Sequence, residues 1–235
     1  MKVVTWNMAN RRGAWDYLRE VIDPDYALLQ EAQVIEKTFG FALWTAIGEN
    51  SVKYGARGRY RWGSAVWSRN HDLEEAPLAS HDGWVQAARV VGPEPLLMIS
   101  VHVELDHEGR SVPMLHRILS DLTPSLENAS SGVVLGGDLN ADVAFDEQYG
   151  SRRHSIVFDR IEDLGLWHCN RLIAPGARRT FRRSATVMDD HLFVSHEMMS
   201  RVRSCEVLSD ENAPGDHFPV VLQLEDAATS TSATP

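Results

Sequence analysis

Asp138 and Asn140 follow the apolar run Val133-Val134-Leu135 across two glycines, which sets a carboxylate and an amide at the exit of a buried strand. Three more polar clusters stand at the ends of apolar runs: Asn7 after Val3-Val4, Glu31 after Leu28-Leu29, and Asp216-His217 before Val220-Val221. Carboxylates, amides and an imidazole are the groups that neutralise phosphoryl oxygens, align a water and stabilise a leaving oxygen. The set therefore has the composition of a metal-dependent phosphoester hydrolase site. Mg²⁺ takes one or two carboxylates and keeps several waters, so Glu31 with Asp216, and Asn7 as a carbonyl ligand or an orienter, are adequate supply.

Such residues meet only if strand ends converge. Residues 2–6 read as a strand, and Trp15, Leu18, Val21 and Ile22 recur at helical spacing until Asp23-Pro24 stops them. Residues 26–30 return as a second strand. This short β-α-β unit favours parallel pairing, which brings Asn7 and Glu31 to one edge. Strand-like runs follow at 41–47, 63–68, 84–91 and 96–103, with His102 near the exit of the last. A helix over 112–126 leads to the strand at 133–135, and a long polar loop is expected after Asn140. Another helix covers 156–164, and strands are expected at 192–194, 202–208 and 218–224. Two sheets packed face to face with helices outside satisfy this pattern.

With 235 residues and 43% hydrophobic content the chain can bury one sizeable core, so a single domain over 1–225 is expected. The Ala/Ser/Thr-rich stretch at 226–235 reads as a disordered tail. No apolar run is long enough to span a bilayer, and the first residues alternate too soon with polar ones for a signal-peptide core; a soluble, cytoplasmic protein is the default expectation. Cys169 and Cys205 lack the spacing of a zinc site and read as core thiols.

The net charge of -10 argues against a surface coated in positive potential. Residues 53–69 nevertheless carry five basic side chains and no acid, and residues 150–183 carry eight arginines against three acids. Arg61, Arg182 and Arg183 are the candidates from these clusters for contact with a phosphate-bearing substrate. Trp62, Trp67 and Trp84 lie near them and are candidates to stack on bases, though the apolar alternation around Trp67 and Trp84 favours strand-face core for those two.

Singly, each cluster reads better as turn chemistry, a surface pair, a cap at Asp190 or a core histidine at His102. Their order is more specific. Trp6-Asn7, Gln30-Glu31, Ser100-Val101-His102, Gly137-Asp138-Leu139-Asn140, the run from Asp190-His191 to Val194-Ser195, and Asp216-His217-Phe218-Pro219 follow one another as in the endonuclease/exonuclease/phosphatase superfamily, which the chain resembles over residues 3–224. The resemblance implies an α/β fold, a four-layer αββα sandwich of two packed mixed β-sheets flanked by helices, with one metal site at the strand ends between the sheets. It also implies Glu31 as principal metal ligand beside Asn7, with Asp216 helping to hold the metal, and Mg as the cofactor with Mn able to substitute. Asp138 resembles the acid that positions the attacking water, and Asn140 a donor to the transition-state oxygens. His217 resembles the histidine on the scissile phosphate, oriented by Asp190, and His102 a candidate acid for the leaving group. Independently, a histidine paired with an aspartate keeps its proton at neutral pH, which leaves the role of base to Asp138.

Two departures bear on substrate. Apurinic-site endonucleases of the superfamily typically read Trp-Asn-x-Asn-Gly and Gln-Glu-Thr, where this chain has Met8-Ala9-Asn10 and Ala32; they also usually place tyrosine at the position of His102. The leading expectation is a phosphodiesterase with nuclease activity on DNA or RNA. A phosphatase or phosphodiesterase on a small phosphorylated metabolite or lipid headgroup is the second. A phosphate-binding module without catalysis is the third, and the intact set Glu31, Asp138, Asn140, Asp190 and His217 counts against it.

Overall fold

Apolar side chains on both faces of the central strands require a layer on either side of each sheet, and three separate apolar clusters supply it. The computed structural model describes residues 1–33, 41–46, 62–76 and 83–226. In chain order the elements are β1 (Lys2–Asn7), α1 (Gly13–Tyr17), β2 (Tyr26–Gln33), β3 (Phe41–Ala46), β4 (Trp62–Ser68), β5 (Asp72–Glu75), β6 (Val85–Val91) and β7 (Leu96–His102). They continue with α2 (Val112–Glu127), β8 (Gly132–Asp138), α3 (Ala144–Tyr149), α4 (Arg153–Asp163), β9 (Leu166–His168), β10 (Asp190–Ser195), β11 (Val202–Val207) and β12 (Val220–Leu224).

One sheet runs β11-β12-β1-β2-β4-β3 and the other β5-β6-β7-β8-β10-β9. Each contains one parallel pair, β1 with β2 and β7 with β8, and each pair is joined through a helical crossover. Between the sheets Val3, Leu28, Val66 and Leu222 meet Met98, Val134 and Leu192. Outside the first sheet Trp6, Leu29 and Trp67 pack on Trp15, Leu18 and Ile22, and outside the second Ile99, Leu135 and Phe193 pack on α2 and α4 through Leu115, Ile118, Leu122 and Ile161. The result is the expected sandwich of two mixed sheets with helices outside. Among the described residues no helix is long and apolar enough to cross a membrane. Cys169 and Cys205 are free and buried.

Several expected boundaries shift. The first helix is shorter than its apolar spacing suggests: after α1 the chain continues as a π-turn over Leu18–Ile22, Val21 is exposed, and Asp23 closes it in the left-handed region at φ 51°. The polar stretch after Asn140 holds α3, and β5 and β9 were not expected at all. Strand 133–135 extends through Asp138, the last strand starts at Val220 rather than at 218, and Ile47 lies outside the described residues. So does the expected tail, apart from Asp226.

α3 persists because its Asp146 caps the next helix. The buried Asp146 carboxylate accepts Ser151 Oγ at 2.6 Å, the backbone N–H groups of His154 and Ser155 at 3.1 and 2.7 Å, and Ser155 Oγ at 2.6 Å. Burial pushes this carboxyl up, and the four hydrogen bonds overcome that push and hold it well below the usual carboxylate range. Asp146→Ala should therefore lower stability by ~1–3 kcal/mol in urea denaturation at pH 7. A depressed carboxylate contributes fully above its unfolded pKa of about 3.9, and that contribution disappears as pH falls through the folded value. The gap between wild type and variant should accordingly close in strong acid, and a gap independent of pH would assign the loss to packing alone.

Candidate active site

β2 does not run straight into its polar end. Its register with β4 shifts between Leu29 and Ala32, and Glu31 sits in the bulge at φ 48°, a conformation that non-glycine residues rarely adopt. Ala9 and Asn10 at φ 47° and 56°, and Asn140 at φ 48°, share the left-handed region on neighbouring loops. Asn10 N–H donates to Glu31 O at 3.0 Å, which ties two of these residues together. Strain of this kind costs of order 1–3 kcal/mol per residue and persists where the surroundings over-determine it.

The neighbouring Gln30 is fully buried and serves the fold. Its Nε2 donates to Ser100 Oγ at 3.0 Å, and Ser100 Oγ donates to Leu29 O at 2.8 Å, which bridges the two sheets just beneath the site.

Asp138 lies where the two parallel pairs converge. The register pairs His102 with Asp138 in one sheet and Asn7 with Gln30 in the other. Gly137 is required just before it, since a Cβ there would fall 1.7 Å from Val101 O. Asp138 Oδ1 accepts the Asn140 N–H at 3.0 Å and Oδ2 accepts Asn7 Nδ2 at 2.9 Å. His102 Nε2 and His217 Nε2 stand 3.7 and 3.9 Å from the same Oδ2. Burial, then the charge of Asp190, raises the Asp138 carboxyl against the opposing effects of His217, Asn7 and Asn140.

Asn7 acts between the carboxylates. Its Nδ2 also reaches Glu31 Oε1 at 3.4 Å, while its Oδ1 accepts the Ala9 N–H at 2.9 Å. Because both carboxylates are acceptors, the amide must present its donor to them. Of the two roles open to Asn7 this geometry supports orienter, its carbonyl being turned to the backbone. Glu31 Oε1 lies 4.0 Å from His102 Nε2.

His217 Nδ1–H donates to Asp190 Oδ2 at 2.8 Å. Burial alone would lower this imidazole, yet the charge and hydrogen bond of Asp190, with Asp138 and Asp216, raise it to about 10. Trp6 Nε1 donates to His217 O at 3.2 Å, so the motif at β1 holds the motif at β12. Asp190 Oδ1 is buried with no hydrogen-bond partner among the described residues. Asp138, Asp190 and His217 each present a ligand atom within 4.8 Å of the others, a group that could hold a metal ion.

Asn140 anchors one amide N–H on Val103 O at 2.9 Å. Asp216 is partly exposed at the rim, 3.4 Å from Arg183 Nη2. The remaining arginines of that loop do structural work instead of standing free for substrate. Arg182, expected at the substrate, donates from Nη2 to Asp210 O and Ala213 O at 2.9 and 2.6 Å and lies 4.4 Å over the Phe218 ring. Arg179 reaches Glu211 and Phe218 in the same way, and Arg178 donates to Ile173 O. Arg183 is well exposed. Arg61, Lys53, Arg57 and Arg59 lie outside the described residues. Trp67 is core, whereas Trp62 and Trp84 are half-buried.

Of four supporting residues, Thr180, Asn170 and His168 carry no spacing signal in the sequence, and His191 belongs to the run that begins at Asp190. Thr180 Oγ1 accepts the N–H groups of Asp189 and Asp190, and Asn170 Nδ2 donates to Asp190 O at 2.9 Å. His191 Nε2 meets Ala141 O at 2.7 Å; a carbonyl only accepts, so the proton is on Nε2, and Nδ1 receives His168 Nε2–H at 3.1 Å. Two neutral imidazoles thereby pin the loop that carries Asn140.

The fold has known counterparts. A family model described as Endonuclease/Exonuclease/phosphatase family matches residues 4–217. No curated protein matches the sequence. Among solved structures, an AP endonuclease from Archaeoglobus fulgidus aligns with TM-score 0.71 at 18% identity, covering 96% of this chain and 100% of that one. The endonuclease domain of TRAS1, a telomere-specific non-LTR retrotransposon, aligns with TM-score 0.70 at 16% identity over 95% and 97% of the chains. The 3' phosphatase NExo from Neisseria, bound to a product DNA hairpin, aligns with TM-score 0.69 at 21% identity over 96% and 100%. The family match includes every residue of the Asp138 cluster and most of the chain, and the chain therefore belongs to the endonuclease/exonuclease/phosphatase family of phosphoester hydrolases.

Proposed function

We propose that this chain is a Mg²⁺-dependent phosphodiesterase with nuclease activity, acting in a soluble, cytoplasmic setting. The observation that carries the reading is the convergence of Asn7, His102 and the His217–Asp190 pair on the single carboxylate of Asp138, with Glu31 linked to it through Asn7 and His102. The donor set suits a hard cation: carboxylate oxygens dominate it, and both thiols are buried in the core between the sheets. The orphaned Asp190 Oδ1 also fits a site that expects a further polar group. Glu31 would hold Mg²⁺ or Mn²⁺, with Asp216 and Asn7 beside it. His217 Nδ1 and Asp190 Oδ2 are already committed to each other at 2.8 Å, which favours Glu31 over the Asp138/Asp190/His217 group.

When bound, the cation supplies positive charge to the phosphoryl oxygens. The chain's residues provide the rest. Asp138 accepts the proton of the attacking water, a task suited to a carboxylate made more basic by burial. His217 keeps its proton and donates a hydrogen bond to a phosphoryl oxygen, with Asp190 fixing the ring and balancing its charge. Asn140 offers its second amide N–H to the same oxygens. His102, whose Nε2 stands 3.7 Å from Asp138 Oδ2, protonates the leaving oxygen.

Polynucleotide is favoured as substrate by a cleft of about 1060 Å³ that opens beside Asn140 and runs past Ser111 at the start of α2 to Arg153 and His154. One structural neighbour carries a DNA hairpin product. The engagement of Arg179 and Arg182 with the loop at 210–213 favours the second reading, a small phosphoester that needs little beyond the central cluster. A panel of single-stranded DNA, duplex DNA, RNA, an aryl phosphodiester and an aryl phosphomonoester in Mg²⁺ separates the two. A polynucleotide should be cleaved with the highest kcat/KM and with marked salt dependence. Turnover confined to the small esters would replace the first reading by the second.

A further inference from the structure

Trp62 opens β4 and Trp84 immediately precedes β6, and the fold brings both to His102. Their ring centroids lie 6.3 Å apart with the planes at 88°, and the His102 ring stands 5.0 Å from Trp84 and 6.4 Å from Trp62. Trp84 is rigidly placed. Its carbonyl accepts the His102 N–H at 2.7 Å and Ser64 Oγ–H at 2.8 Å, and its ring packs against the core beneath α2. Trp6 and Trp67 are sealed inside the molecule, whereas these two remain half-buried at the edge that carries the candidate catalytic groups. Partly exposed indole is apolar area whose removal from water is favourable, so a ligand that covers it gains affinity.

The shape of the corner restricts the ligand. Two ring planes at right angles accept a flat group that stacks on one indole and presents its edge to the face of the other, the two arrangements that aromatic pairs prefer. An acyl chain has no use for such a corner. The adjoining His102 is 3.7 Å from the Asp138 carboxylate, so the occupant must join an aromatic plate directly to an anionic, hydrogen-bonding group. The geometry points to Trp62 and Trp84 as a base-stacking subsite that holds the nucleobase next to the scissile phosphate on the leaving-group side. This rests on the nuclease reading above and makes it specific: the substrate is recognised by its bases as well as by its phosphates.

Two oligomers of equal length and charge test this, a single-stranded oligodeoxynucleotide and a base-free tetrahydrofuran-phosphate chain. Wild type should cleave the base-bearing strand with a kcat/KM ~10-fold or more higher. Trp84→Leu and Trp62→Leu, which keep apolar volume and remove the indole face, should each lose most of that preference through a higher KM on the base-bearing strand alone. Trp84→Phe should retain part of it. Trp62→Leu gives the same readout if Trp84→Leu fails to fold, and binding of the base-bearing strand should quench tryptophan fluorescence in wild type. Equal losses on both oligomers, or a wild type indifferent to the bases, would overturn the subsite while leaving the nuclease reading in place. A wild type that cleaves neither oligomer yet turns over small phosphoesters would overturn both.

Discussion

Asp138→Asn should lower kcat on a phosphodiester by at least ~10²-fold while KM and the thermal midpoint change little. The amide has the same shape, and its oxygen can still accept the Asn140 N–H that Oδ1 accepts at 3.0 Å. The negative charge is lost, and with it the acceptor for a proton from water. Asp138 is the residue that both sheets address, through Asn7 from one and His102 from the other. Two other results would be informative. A large rise in KM with kcat preserved would make Asp138 a binding residue, and a fall of many degrees in thermal midpoint would make it structural.

His217→Ala and Asp190→Asn should each cost ~10²–10⁴-fold in kcat/KM, and the double variant should be little worse than the poorer single one. The two side chains act as a unit. Asp190 Oδ2, 2.8 Å from His217 Nδ1 and buried, favours the protonated imidazole and is committed to it. A raised imidazole is protonated below its folded pKa and loses the proton as pH rises through it, so wild-type activity should decline on the alkaline side near about 10. Asp190→Asn removes the largest upward influence and should bring that limb down toward the ordinary histidine value of about 6.5. On the acid side activity should rise as Asp138 ionises, above the usual carboxylate range; a bound cation would draw this limb lower. Additive losses with an unmoved alkaline limb would separate Asp190 from His217.

Much of this arrangement was legible in the sequence because strand ends announce themselves. An apolar run followed by a polar pair marked Asn7 and Glu31, and the short β-α-β spacing implied the parallel pairing that sets Asn7 opposite Gln30. His102 and Asp138 were marked in the same way, and the second β-α-β crossover through α2 pairs them.

What could not be read depends on long-range backbone fit. Nothing in Gln30-Glu31-Ala32 reveals the bulge that turns Glu31 inward, since only β4 imposes that register. The helix α3 has little apolar periodicity and is held by the cap its Asp146 gives α4. The edge strand β5 reads Asp-Leu-Glu-Glu, with the charge that edges tolerate and that sequence patterns assign to loops. The arginines too depend on partners that the sequence does not reveal. A basic cluster suggests a phosphate-facing surface, yet Arg179 and Arg182 find their partners in residues 210–213 and the Phe218 ring, nearly thirty or more residues along the chain.

The central claim is that Glu31 and its neighbours form a divalent-metal hydrolytic site, and a metal titration of phosphodiester hydrolysis tests it most directly. Chelator-stripped wild type should be inactive and recover fully with Mg²⁺ or Mn²⁺, and Glu31→Gln should need ~10-fold or more free Mg²⁺ for half its maximal rate while keeping its thermal midpoint. Full hydrolysis by the stripped protein, or a Glu31→Gln titration superimposable on that of wild type, would contradict the account.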